Sequence, residues 1–300
     1  LGDVMAADRV TLLAPAKINL FLAVGARRPD DYHDVVTILQ TLDERVADIV
    51  ELQAADSLLV TCEPGVGIPA DKNLVHRALV CLGEMAGLDP AFLVRIRKRV
   101  PAAGGLGGAS SDAAAALVGA CRLWGLDVTA PEVMSLAASL GADVPFFIGG
   151  GTALYTGRGD ALARRLPTPV LELVVVNPGV PVPTPAAYAA FDRLPRHDAV
   201  DPDAMIDAIG AGSASAISAA LFNDLSEAAF VVAPEVRDAL RWVGDSAGVL
   251  GAIVSGSGSS VFGICENALA ACGIADAAAR REGWWASATS ASRRGVADIA

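Results

Sequence analysis

Apolar residues come in short, strand-length runs through the first third of the chain. Val10–Ala14, Asn19–Val24, Val35–Leu42, Val46–Leu52 and Leu58–Cys62 are separated by polar or turn residues, and each predicts a strand. From Asp71 to Ala86 the period changes. Leu74, Val75, Ala78, Leu79, Leu82 and Met85 share one helical face, and Gly87 suits the stop. Phe92–Val100 alternates apolar residues with Arg95, Arg97 and Arg99, as a half-buried strand does. A glycine-rich loop follows, then an alanine-rich helix from Ser110 to about Trp124. Thr129-Ala-Pro-Glu132 reads as a capping box with proline in the first turn, so another helix is expected there.

The second half has a different texture. Leu171–Val176 predicts a strand closed by Asn177-Pro-Gly179, and Val180–Pro202 is proline-rich and polar. Helices are expected over Pro234–Ser246 and Asn267–Arg281. Between them, strands at Val249–Val254 and Ser260–Ile264 flank a Gly/Ser loop. Strands grouped in one stretch and helices in others predict an α+β fold, not a regular βαβ array. The change falls between Gly149 and Arg165, and we expect domains at 1–158 and 159–300.

Composition narrows the function. Of 300 residues, 53% are hydrophobic and 19% charged, which supports a sizeable core and argues against disorder. No apolar run reaches the roughly 18 residues of a membrane span. The start, with Asp3 and Asp8, has no basic region before an apolar one, so no signal peptide and a cytoplasmic location are expected. Five cysteines without a CxxC pair predict reduced, structural thiols and no metal site. A net charge of −11 argues against a nucleic-acid partner. Any anionic ligand must then meet helix N-termini and a few placed cations. Only three of the 23 basic residues are lysine (Lys17, Lys72 and Lys98), so each draws attention.

Arg99–Asp112 is the most informative stretch. Gly104, Gly105, Gly107 and Gly108 let backbone amides approach a ligand, and Ser110 and Ser111 stand at a helix start. The combination suits a phosphate chain. A P-loop is excluded because no Gly-Lys-Ser/Thr ends the loop. A dinucleotide fold lacks its βαβ setting, and Asp127 belongs to a turn.

Pro101–Ser111 resembles the Pro-x-x-x-Gly-Leu-Gly-x-Ser-Ser signature of the GHMP kinases. Ala14–Leu20 is similar to that family's first motif and Val254–Phe262 to its third, so the likeness covers nearly the whole chain. Pro15–Asn19, Arg27–His33, Gly141–Phe146 and Pro183–Pro185 are similar to the branch acting on a cytidine diphosphate derivative of methylerythritol. The resemblance implies a two-domain α+β kinase with its site in the interdomain cleft. ATP is the donor, Mg²⁺ assists, and a 2-hydroxyl of this small-molecule substrate is the acceptor.

Residue by residue, the resemblance implies Asp143 as general base with Lys17 beside it. It puts Asn73, Pro101, Gly104, Gly105, Leu106, Gly107, Gly108, Ser110 and Ser111 on ATP, with Ser111 at the Mg²⁺–phosphate assembly. It puts Asn19, Tyr32, His33, Thr184 and Tyr188 on the substrate, the two tyrosines flanking cytosine. No protein metal ligand is expected. Outside the motif, Asp143 is a turn aspartate, Lys17 a solvent-facing strand lysine, and the aromatic residues rim or core residues. The chain departs from the family at Asp31, Ala103, Ala109 and Tyr188, where glycine, richer glycine and phenylalanine are usual. The alternatives are another small-alcohol kinase of homoserine or mevalonate type, and a ligand sensor that kept the fold.

Overall fold

The computed structural model describes residues 8–65, 67–69, 72–195 and 198–299. Asp3, on which the leader expectation drew, and Asp71, the expected helix start, lie outside them. Strands β1 (Arg9–Pro15), β2 (Lys17–Arg27), β3 (His33–Thr41), β4 (Ala47–Ala54) and β5 (Leu59–Glu63) come first, as the runs of apolar residues predict. Helix α1 (Leu74–Ala86) and β6 (Phe92–Arg97) precede three helices, α2 (Gly108–Trp124), α3 (Pro131–Leu140) and α4 (Val144–Gly149). Next are β7 (Thr152–Thr156), β8 (Ala161–Leu166), β9 (Glu172–Asn177), α5 (Thr184–Phe191), α6 (Asp203–Ala211), α7 (Ala214–Ala219), β10 (Phe222–Asn223) and α8 (Ser226–Val232). The chain finishes with α9 (Glu235–Gly244), β11 (Val249–Val254), β12 (Val261–Cys265), α10 (Ala268–Ala279), β13 (Trp285–Ser290) and β14 (Ala297–Asp298). No helix among the described residues is long and apolar enough to cross a membrane.

Among the described residues three sheets result, in the orders β14-β1-β4-β6-β5, β10-β2-β3-β7-β8 and β11-β12-β9-β13. Only Ala16 separates β1 from β2, so the chain passes from the first sheet to the second at that residue, and Lys17 stands at the turn. The expected division at 158/159 falls in the β7–β8 turn. β8, β10 and β14 join sheets that N-terminal strands begin. The alanine content of α2 has a packing cause. Ala113 to Ala116 are all fully buried, and a Cβ on Gly119 would meet Leu52 at 2.8 Å. Small side chains therefore let this helix lie directly on the first sheet, which fixes where its N-terminus points.

One helix start differs from expectation. The capping box at Thr129–Glu132 does not form: α3 is preceded by Ala130, which makes no side-chain cap. Asp127 takes the hydroxyl and amide of Thr129 instead, at 2.7 and 2.8 Å. A local Asx turn has outcompeted the cap.

Candidate active site

The glycine loop before α2 folds against the Gly/Ser loop between β11 and β12. Gly104 O accepts from Ser260 N at 3.0 Å, and Gly105 O accepts from Ser255 Oγ at 3.1 Å. A Cβ on Gly105 would collide with the Ser255 carbonyl, and its φ of +75° is in the left-handed region, so both sterics and backbone require glycine. Leu106 O accepts from Lys17 N at 3.0 Å. Three segments remote in sequence thus share one backbone network: the start of β2, the glycine loop and the Gly/Ser loop.

Lys17 is buried, and Nζ donates to Asn19 Oδ1 at 2.6 Å. Two residues apart on one strand, they face the same side. Asn19 Nδ2 donates to Thr37 Oγ1 at 2.8 Å, and that hydroxyl donates to Phe21 O at 2.8 Å. The amide of Asn19 is therefore held at both ends. Lys17 Nζ lies 3.8 Å from Asp143 Oδ2, close enough for charge attraction but beyond a hydrogen bond. Burial pushes the Lys17 ammonium below its ordinary range, and the Asp143 charge opposes that shift. Asp143 precedes α4, whose Phe146 and Phe147 are buried and anchor the turn; its own side chain remains 30% exposed.

At the other end of the cavity, His33 is buried and stacks on Tyr188, with ring centroids 5.1 Å apart and planes 26° apart. His33 Nε2 lies 2.9 Å from Asp192 Oδ1, at the end of α5. Burial first, and the Asp143 charge second, push the Tyr188 phenol up to about 12, so it stays neutral. Tyr32 is 58% exposed, and the Arg158 guanidinium sits over its ring at 5.1 Å. Among the described residues no ring contact joins Tyr32 and Tyr188. Thr184 Oγ1 meets Ser257 Oγ at 3.0 Å.

A second charged cluster, which the sequence reading missed, lies beside the glycine loop. Lys98 Nζ donates to Asp48 Oδ2 at 2.5 Å and to Asp112 Oδ2 at 2.7 Å. Asp48 Oδ1 also accepts from Arg99 N and Val100 N, at 2.5 and 2.9 Å. Burial pushes the Asp112 carboxyl up to about 7, with the Asp48 charge adding to the effect and Lys98 opposing it. Among the described residues Asp112 Oδ1 has no hydrogen-bond partner. Asn73 caps α1, taking Val75 N at 2.9 Å on its side-chain oxygen.

One cavity of about 1230 Å³ joins these parts. Lys17, Asn19, Tyr32, His33, Asn73, Pro101, Gly104, Gly105, Gly107, Gly108, Ser110, Asp143, Thr184 and Tyr188 all line it. Leu106 and Ser111 do not; both are buried, Leu106 in the core and Ser111 on the inner face of α2. Lys98, Asp112, Thr37 and Arg158 line it as well. The scarcity of lysine was the one sequence signal that pointed at Lys98.

The family model "GHMP kinases N terminal domain" matches residues 73–151, and "GHMP kinases C terminal" matches 205–282. A 4-diphosphocytidyl-2-C-methyl-D-erythritol kinase of Nocardia farcinica is 41% identical, over 89% of this chain and 88% of its own. One from Pelotomaculum thermopropionicum is 40% identical, over 85% and 88%. A crystal structure of a 4-(cytidine 5'-diphospho)-2C-methyl-D-erythritol kinase superposes with a TM-score of 0.78 at 33% identity, over 94% of this chain and 99% of the other. Homoserine kinase from Cytophaga hutchinsonii superposes with a TM-score of 0.75 at 21% identity, a likeness of fold.

Proposed function

Because the chain belongs to the GHMP kinases, and within them to the 4-diphosphocytidyl-2-C-methyl-D-erythritol kinase family, we propose how its cavity serves that chemistry. The chain is an ATP-dependent phosphotransferase with an alcohol acceptor, and its place is in isoprenoid biosynthesis. The acceptor in this reading is the 2-hydroxyl of 4-diphosphocytidyl-2-C-methyl-D-erythritol, on the non-mevalonate route, and the enzyme works in the cytoplasm. The chain acts as two lobes, 1–158 chiefly on ATP and 159–300 chiefly on the substrate side.

The observation that carries the reading is the Lys17–Asp143 pair at 3.8 Å. The cavity around it has a glycine loop on one side and the Tyr32, His33 and Tyr188 rings on the other. Asp143 takes the proton of the acceptor hydroxyl as the oxygen attacks the γ-phosphorus. Lys17 holds that carboxylate oriented toward the acceptor until then. Asn19 and Thr37 hold Lys17 in place. Loop amides and the α2 N-terminus stabilise the charge on the transferring group, the largest contribution in such reactions. Asn73 sits against the adenine, and Thr184 with Ser257 shapes the acceptor side. Tyr32 and Tyr188 flank the cytosine, and His33 reads its edge.

Mg²⁺ supplies charge neutralisation on the phosphates in kinases. Among the described residues no group of three His, Cys, Asp or Glu side chains could hold it. Ser111, which the resemblance puts at the Mg²⁺–phosphate assembly, is closed off from the cavity. We place Mg²⁺ on the phosphates of ATP and on water.

Phosphate transfer from ATP should be measured across a panel of alcohols comprising the cytidyl substrate, its uridyl analogue, homoserine and mevalonate. A kcat/KM highest for the cytidyl compound is expected. A preference for homoserine or mevalonate, or no transfer at all, would overturn the reading.

A further inference from the structure

We infer that Asp192 is a positioning residue that fixes the tautomer of His33 and thereby sets the preference for a ring bearing an amino donor over one bearing a keto oxygen. The inference rests on the cytidyl reading above and adds the group that makes His33 selective. A neutral imidazole carries one N–H and one lone pair, and its partners decide which nitrogen has which. The carboxylate of Asp192 can only accept. With Asp192 Oδ1 at 2.9 Å, Nε2 of the neutral ring therefore carries the proton, and Nδ1 is left as an acceptor. Among the described residues Nδ1 makes no hydrogen bond, and it is not a sealed-off atom. His33 lines the cavity, so this lone pair is available to a ligand.

The ring cannot turn over easily to exchange its nitrogens. Tyr188 covers one face at 5.1 Å, and Phe191 meets it edge-on at 6.2 Å. Tyr188, Phe191 and Asp192 all belong to the last turn of α5 or its cap, so one helix end supplies the lid, the side wall and the acceptor. An acceptor held opposite position 4 of a pyrimidine matches the amino group of cytosine. It repels the keto oxygen that uracil has there. Stacking alone does not make this distinction, because every base has a π-face.

The test uses the full chain with CDP and UDP as probes. Nitrogen NMR of the wild-type protein, with the His33 signals assigned by difference from His33→Ala, reads the tautomer directly. The Nε2–H form is expected. An Nδ1–H form would overturn the inference whatever the affinities are. Titration calorimetry then compares the two nucleotides. Asp192→Ala should lower the CDP-over-UDP ratio roughly 3- to 10-fold, the worth of one hydrogen bond, and should leave ATP affinity unchanged. Equal losses for CDP and UDP would mean that Asp192 is only a strut for α5, and the inference fails. If His33→Ala leaves CDP affinity unchanged while the Nε2–H form is present, the cytosine reading itself fails. The assigned role for Asp192 fails with it, although the tautomer stands.

Discussion

Asp112→Asn tests whether a proton is stored in the charged cluster beside the glycine loop. Asp48, Lys98 and Asp112 are nearly closed to water, with side-chain exposures of 0%, 10% and 6%. Two carboxylates and one ammonium carry a net charge of −1 when all are ionised. A proton on Asp112 makes the cluster neutral, and for that reason burial pushes this carboxyl up to about 7. An aspartate in the unfolded chain ionises near 3.9. Between those values the folded protein keeps a proton that the unfolded chain has released. Raising the pH through that window therefore costs stability, the reverse of the usual salt-bridged aspartate.

At about 1.4 kcal/mol per pH unit, the loss from pH 5 to pH 8 is about 2–3 kcal/mol. The asparagine amide does not titrate. Its oxygen can still accept from Lys98. Urea unfolding at fixed ionic strength, from pH 5 to pH 8, should show the variant gaining about 2–3 kcal/mol on the wild type as the pH rises. Parallel stability curves for the two proteins would refute the stored proton.

Asp143→Asn should fold and bind ATP normally while losing roughly 10²- to 10⁴-fold in turnover, the usual contribution of a general base; near wild-type turnover in the folded variant would remove Asp143 from that role. Thr37→Val keeps the shape but orphans the buried Nδ2 of Asn19, so thermal unfolding should report a loss of about 1–3 kcal/mol. Its kcat should fall with little change in the KM for ATP, because Lys17 loses its braced partner; an unchanged kcat would show that Asn19 does not orient Lys17. In Gly107→Val, a Cβ would meet the Phe147 ring at 2.7 Å and the Lys17 stem at 3.1 Å. Calorimetry should therefore show ATP and CDP affinity lost together with a lowered melting temperature, whereas loss of ATP affinity alone would mark a purely phosphate-contacting glycine.

What the sequence disclosed depended on the range over which its signals act. The first five strands and α1 were legible because period and turn residues act locally. β8 escaped notice because Arg164 and Arg165 are adjacent, which breaks the alternation, and it is held only as the outer partner of β7. β13 is built of small and polar residues and takes its strand form from pairing with β9. α5 lies inside the proline-rich stretch Val180–Pro202. There Pro185 serves as a first-turn residue of the helix, not as a breaker. The site divides the same way. Lys17, Asp143 and the glycine loop sit in contiguous motifs. Asp48 and Asp112 acquire meaning only when Lys98 arrives from 50 residues after one and 14 before the other. Asp192 likewise meets His33 across 159 residues, and nothing near it in the chain announces that contact.

On the proposed reading the cavity must gather two polyanions despite a net charge of −11, and its lining suits that by segregating charge. Its lining brings together Lys17, Lys98, Arg27, Arg158 and Arg193 against the carboxylates of Asp31, Asp112, Asp143 and Asp192. These nearly cancel, and a proton on Asp112 tips the balance further toward positive. The acidic surplus therefore lies on residues that do not line the cavity. Inside the cleft the glycine-loop amides and the start of α2 add partial positive charge without any ionised side chain. The wall around the reacting centre can thus be close to neutral and still attract phosphates. Among the described residues Asp143 is the carboxylate that lies beside the buried Lys17, at 3.8 Å, which is where the proposed base would need it.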